Sequence, residues 1–238
     1  MSHLSRLAAP KTWPLRKKEN KWVTKTNPGP HNLKMSIPLD LLIRNLLKYA
    51  KTKKEIKKIL NKGEILIDNK VRKDHRFPVG ILDIITIKSL NENYRLLFNK
   101  KGKFIIHKIK KEESLIKPKK ITGKKILKNK KIQINFYDGT NRIVDKNIYK
   151  VSDTLVINLS KGEIIDCLKF EKGNLIYITK GNKISSMGVL NSLIKSKDSK
   201  ESRIIYTKGK EKYETSKEYA FVIGKTSSII SLPEDKNE

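Results

Sequence analysis

The sequence holds a single cysteine, Cys167, in 238 residues. That excludes an internal disulfide and any zinc site built on several cysteines, and it suits a reducing compartment. Acidic residues are scarce: 24 Asp and Glu stand against 54 Lys and Arg, for a formal net charge of +30. A chain so charged repels itself when compact, so a polyanionic partner is implied rather than a soluble enzyme working alone. Long apolar runs are missing, none approaching the roughly 18–20 residues of a membrane span. The first residues are too little apolar, and too soon charged, for a secretory leader. A cytoplasmic location with no membrane partner is expected. The four histidines, His3, His31, His75 and His107, lie at no metal-ligand spacing, so no metal and no cofactor is expected. The hydrophobic share is low at 37%, but it falls in strand-like runs, which excludes full disorder.

Three fragments imitate enzyme motifs. Gly224-Lys225-Thr226 resembles the end of a phosphate loop, but Tyr219 stands where that motif needs its first glycine. Lys34-Met35-Ser36 matches three letters of a synthetase signature, with only 33 residues before it in place of a nucleotide-binding domain. Asp138-Gly139-Thr140 has no second carboxylate or base nearby in sequence and reads as a hairpin turn. Cys167 has no base partner and reads as a small buried apolar residue. No catalytic residue and no small-molecule substrate are expected.

By composition the chain falls into four parts. Residues 1–38 form an extended basic arm holding five of the eight prolines and both tryptophans. Lacking a regular period, the arm cannot bury enough surface alone and is expected to order on a partner. Residues 39–89 predict two helices followed by a β-turn segment. Leu41, Leu42, Leu46, Leu47 and Ala50 make one apolar stripe. Thr52 and Glu55 make a capping box, Ile56, Ile59 and Leu60 a second stripe, and Gly63 the end of the helix. Ile65 and Ile67 open a strand, Asp68-Asn69-Lys70 turns into Val71, and a further strand runs from Ile81 to Ile87. Residues 90–171 form a central β domain. Residues 172–238 carry more short strands and an acidic, frayed end. Strands are expected at 94–98, 104–109, 131–137, 142–144, 154–158, 163–168, 174–179, 204–207 and 220–223. The fold class is thus α+β, mostly β.

Clustered lysine and arginine suit a polyphosphate, because neutralising each phosphate releases counterions. Candidate RNA contacts in the arm are His3, Arg6, Lys11, Arg16, Lys17, Lys18 and Lys21, with Trp13 and Trp22 stacking on bases or packing on a neighbouring protein. In the helix pair they are Arg44, Lys48, Lys53, Lys54 and Lys57. The loop after the β-turn adds Arg72, Lys73, His75 and Arg76, where the forked guanidinium groups suit phosphate or guanine. Gly63, Gly80 and Gly188 are expected in structural roles. A recognition helix for the DNA major groove is not apparent.

These residues carry a resemblance. Leu39 to Ile87 resembles the small RNA-binding module named after bacterial ribosomal protein S-four. The opening Met1-Ser2-His3-Leu4-Ser5-Arg6-Leu7-Ala8-Ala9-Pro10-Lys11-Thr12-Trp13-Pro14 is similar to the start of the S-four-e family of archaeal and eukaryotic-type small-subunit ribosomal proteins. Val71-Arg72-Lys73-Asp74, Phe77-Pro78-Val79-Gly80, Tyr94-Arg95-Leu96-Leu97-Phe98 and Tyr219-Ala220-Phe221-Val222-Ile223-Gly224-Lys225 extend the match over nearly the whole chain. The resemblance implies a central β domain and an SH3-like, KOW-type barrel near the C-terminus, with Gly188 at its turn. The barrel's loop, residues 182–187, carries only Lys183. It also implies a structural, non-enzymatic constituent of the 30S subunit. The partners implied are small-subunit ribosomal RNA and neighbouring ribosomal proteins. A free RNA-binding regulator or RNA chaperone is the alternative, ahead of an RNA-modifying enzyme.

Overall fold

The computed structural model describes residues 3–16, 18–128, 131–194 and 202–233. The chain divides into two compact units, Met1–Lys117 and Pro118–Glu238.

The first unit begins with a short antiparallel pair, β1 (His3–Ser5) and β2 (Trp22–Thr24). β3 (Ser36–Pro38) pairs with β6 (Pro78–Gly80). Between them lie helix α1 (Leu39–Leu41), which continues as a π-helical turn over Leu42–Leu47, and helix α2 (Lys53–Asn61). A five-stranded sheet completes the unit. It comprises β4 (Ile65–Ile67), β5 (Lys70–Val71), β7 (Ile84–Ile87), β8 (Glu92–Phe98) and β9 (Phe104–Ile109), in the order β5-β4-β7-β8-β9. Its core is built from Ile37, Leu41, Ile56, Leu60, Ile85 and Leu97.

Local chemistry accounts for these elements. Thr52 accepts the Glu55 N–H while Glu55 reaches back to the Thr52 N–H, so the capping box forms. Gly63 follows α2 at φ +74°, the left-handed conformation that ends a helix. The turn from β4 to β5 places Asp68 and Asn69 at φ 50° and 63°, as a tight hairpin requires. The first helix departs from expectation. The backbone N–H of Lys48 bonds to the carbonyl of Ile43, and Lys48 itself turns left-handed at φ 59°. The strand expected from Ile81 starts later, because Leu82 sits at φ 66°.

The arm is a correction. It does not stay extended awaiting a partner; it packs within the first unit. Trp13 is 2% exposed, and its indole N–H donates to the Ser36 carbonyl at 2.6 Å. The Phe104 N–H donates to the Thr12 carbonyl at 2.8 Å. The arm lacks a core of its own but borrows one from the elements that follow it. The boundary expected at residue 90 also moves. β8 pairs with β7 along Ile84↔Arg95 to Ile87↔Glu92, so the sheet runs on through β9.

The second unit holds two sheets. One comprises β10 (Ile116–Ile126), β11 (Ile132–Phe136), β12 (Asn141–Val144), β13 (Thr154–Asn158) and β14 (Ile164–Leu168), in the order β12-β11-β10-β13-β14. Ile121, Ile134, Phe136, Leu155 and Ile157 form its core. The other comprises β15 (Leu175–Ile178), β16 (Met187–Ile194), β17 (Arg203–Lys208), β18 (Glu211–Ser216) and β19 (Ala220–Gly224), in the order β18-β17-β16-β15-β19. A β-carbon on Gly188 would lie 2.4 Å from the Thr207 carbonyl oxygen, so only glycine lets β16 and β17 approach there. Asp138 accepts from both the N–H and the hydroxyl of Thr140 and pairs with Lys119 at 2.7 Å, a braced hairpin. The acidic end, residues 234–238, lies outside the described residues.

Candidate nucleic-acid interface

The loop Arg72–Phe77 is held on two sides. Toward the helices, the His75 and Phe77 carbonyls accept the N–H groups of Asp40 and Leu39 at 2.9 and 3.0 Å. The loop backbone thus satisfies donors that the first helical turn would otherwise leave open. Toward the arm, Asp74 accepts from the Asn27 amide at 2.7 Å, Arg76 Nε donates to the Lys25 carbonyl at 3.2 Å, and the Asn27 N–H donates to the Arg76 carbonyl at 2.9 Å. The Arg72 guanidinium lies over the Phe77 ring at 4.4 Å, a cation–π contact that fixes its direction.

Helix α2 contributes the neighbouring face. Ile56 and Leu60 are buried, while Lys53, Lys54, Lys57 and Lys58 are exposed. The two elements share one electrostatic field. The His75 imidazole is pushed below its ordinary value by burial and then by Lys53 and Lys57, against the opposing pull of Asp40 and Asp74. Two buried nitrogens of the loop, Arg72 Nε and His75 Nε2, have no hydrogen-bond partner among the described residues. A buried polar atom left so costs about 1–3 kcal/mol.

The other candidates separate. Lys11, Arg16, Lys18, Lys21 and Lys73 are exposed, as is Lys48. Trp22 is 54% exposed, with Lys21 Nζ 5.3 Å from its ring centre. Arg44 is half-buried and donates to the Asn45 side chain at 3.2 Å. His3 pairs through its backbone with Thr24, and Lys17 lies outside the described residues. Two are corrections. Trp13 is a core residue with no face to offer a base. Arg6 is buried, donating to the Arg16 carbonyl at 2.6 Å and to Glu19 at 3.2 Å, so it braces the arm from inside. Gly80 has the ring of His31 where a β-carbon would stand, 2.3 Å away.

Sequence reasoning missed the groups behind this face. Asp83 is bonded to His31 at 3.0 Å and to Lys117 at 2.6 Å, and Lys117 also reaches Asp68 at 2.5 Å. His31, Asp83 and Lys117 each leave 2% of the side chain exposed. Burial pushes the Asp83 carboxyl up, but Lys117 and His31 outweigh it and hold the group well below the usual carboxylate range. This cluster ties the arm to the β4–β5 turn and the end of the unit. Its members are scattered along the chain, so no local pattern announces it. Among the described residues there is no group of three or more His, Cys, Asp or Glu able to hold a metal, and no helix long and apolar enough to cross a membrane.

The chain is similar to known proteins along nearly its full length. Residues 90–164 match the model of "Ribosomal family S4e", and residues 2–34 match the RS4NT (NUC023) domain. Small ribosomal subunit protein eS4 of Methanosphaera stadtmanae is 40% identical over 98% of this chain and 96% of its own length. The protein of the same name from Archaeoglobus fulgidus is 41% identical over 95% and 94%. The crystal structure of 30S ribosomal protein S4e from Thermoplasma acidophilum superposes with a TM-score of 0.71 at 30% identity, covering 81% of this chain and 96% of that one. Identity at this level, sustained from the basic arm through the last sheet, establishes that the chain belongs to the ribosomal S4e family.

Proposed function

We propose that this protein is a structural constituent of the small ribosomal subunit and binds ribosomal RNA in the cytoplasm. The observation that carries the reading is the full-length likeness to proteins named for that subunit. The charge of +30 is what a chain embedded among phosphates requires. It is not an enzyme; its work is to bind and brace RNA.

In this reading the helix pair and the sheet through β9 hold an S-four-type RNA-binding module, the sheet of β10 to β14 is a central β domain, and the sheet of β15 to β19 is a KOW-type barrel. Lys53, Lys54 and Lys57 on α2, with Arg72, Lys73 and His75 of the loop, contact backbone phosphates. Arg76 orients the loop through Lys25 as well as adding charge. Lys11, Arg16, Lys18 and Lys21 track a second stretch of RNA, and the exposed Trp22 stacks on a base or a neighbouring ribosomal protein.

Sedimentation of a native extract tests this. The protein is expected in stoichiometric amount with small subunits and is expected to remain there after a high-salt wash. Residence in the light fractions would sink the reading and favour a free RNA-binding regulator.

A further inference from the structure

We propose that the second unit holds a pocket for one nucleotide base turned out of RNA. This rests on the RNA-binding reading and adds a contact apart from the basic face of the first unit.

The cavity measures about 440 Å³, within the roughly 300–1,000 Å³ of small-ligand sites. Ile121, Val151, Tyr137 and Phe221 contribute apolar walls. The Tyr137 and Phe221 rings meet edge to face, 6.3 Å apart at 88°, which presents aromatic surface of the kind on which unstacked bases settle. Thr122 and Thr179 donate their hydroxyls to the Asn135 and Tyr219 carbonyls, both at 3.0 Å. Each hydroxyl oxygen therefore keeps acceptor capacity for a base edge.

The charge of the cavity selects the ligand further. Lys120 is buried in its wall and donates to the carbonyls of Ala220 at 2.6 Å and Glu218 at 2.7 Å. Burial lowers its ammonium to about 8, so at neutral pH it remains a cation. At the rim, Lys180 lies 3.5 Å from the Glu218 carboxylate, and Lys217 lies over the Phe170 ring at 5.3 Å. Three lysines thus face one carboxylate. A cationic ligand is repelled, and an apolar molecule makes no use of the lysines. A flat base in the pit, with its phosphate at Lys180 and Lys217, satisfies both the walls and the rim.

The test uses the full chain, a ten-nucleotide single-stranded RNA containing 4-thiouridine, and a blunt RNA duplex of equal charge. Thr122→Trp fills the pit without changing charge. Single-strand affinity is expected to fall on the order of tenfold, with duplex affinity unchanged. Near-ultraviolet crosslinking of the wild-type chain is expected at peptides around residues 120–122 and 216–221, which decides the matter even if the variant misfolds. Crosslinks confined to the first unit, or equal single-strand affinity in a folded variant, overturn the pocket and leave RNA binding standing. Failure of the wild-type chain to bind either RNA overturns the RNA-binding reading itself. Excess uridine monophosphate is expected to leave the crosslink in place. Its loss at micromolar mononucleotide would make a free nucleotide the ligand and overturn the RNA assignment.

Discussion

Gly80 and His31 occupy the same space as far as a β-carbon is concerned. Three atoms of the imidazole lie 2.3–2.4 Å from where that carbon would be, so Gly80→Ala must displace the ring from Asp83. The expected loss is about 1–3 kcal/mol of stability, read as a lower urea midpoint. Asp83→Asn goes further, because it leaves Lys117 and His31 buried beside an uncharged amide. A loss of about 3–5 kcal/mol is expected, and the size of the drop separates it from a surface charge change. His75 offers a pH test. Its imidazole is held below its ordinary value by burial, by Lys53 and by Lys57, with Asp40 and Asp74 opposing, so it is neutral at pH 7. A phosphate beside it would favour the charged form, so binding takes up a proton. RNA affinity is expected to rise as pH falls from 7.5 toward 6, and the rise should vanish in His75→Ala. Residue roles of this kind were partly legible. The basic loop and Gly80 stood out as local patterns, whereas Asp83 falls inside the strand expected from Ile81 to Ile87, with nothing nearby in sequence to mark His31 and Lys117 as its partners.

At the scale of elements, what was legible followed local chemistry. The capping box of Thr52 and Glu55 marks the start of α2 in sequence and in structure alike. Thr52→Ala is expected to cost about 1 kcal/mol, seen as a lower melting temperature and faster amide exchange in the first turn of α2. The long strand β10 was missed because Ile116–Ile126 carries five lysines and Pro118, a composition that argues against a central strand. It is tolerated because Pro118 precedes the register that begins at Ile121, and because buried Lys117 and Lys120 find acceptors in carboxylates and backbone carbonyls. β18, Glu211–Ser216, was missed for a related reason. Its pairing partner β17 supplies the order that its polar sequence cannot. The arm was misread because it folds back on itself, Trp13 onto Ser36, and against Phe104 far along the chain, contacts between residues that no local period links.

For the whole molecule the governing quantity is the charge of +30, and the question is which cations neutralise phosphates. Lys53, Lys54 and Lys57 give a cleaner test than the loop arginines. Arg76 bonds to the Lys25 carbonyl and Arg72 packs on Phe77, so removing those side chains disturbs structure along with charge. The three lysines are exposed on α2, and alanine is at least as good a helix former, so the triple alanine variant is expected to melt as the parent does. Each phosphate contact contributes about 0.9 to the slope of log K against log salt on duplex RNA, taking the duplex DNA value as a guide. Losing three should flatten the slope by about 2–3 and weaken binding most at low salt. Asp83→Asn makes the converse control. It should lower the melting temperature, yet below that temperature keep the parent's slope, because it removes no phosphate contact. If instead the lysine variant kept the parent's slope, α2 would be a solvated face. The contacts would then have to come from the loop, where Lys73 is exposed, or from the arm, where Lys11, Arg16, Lys18 and Lys21 are.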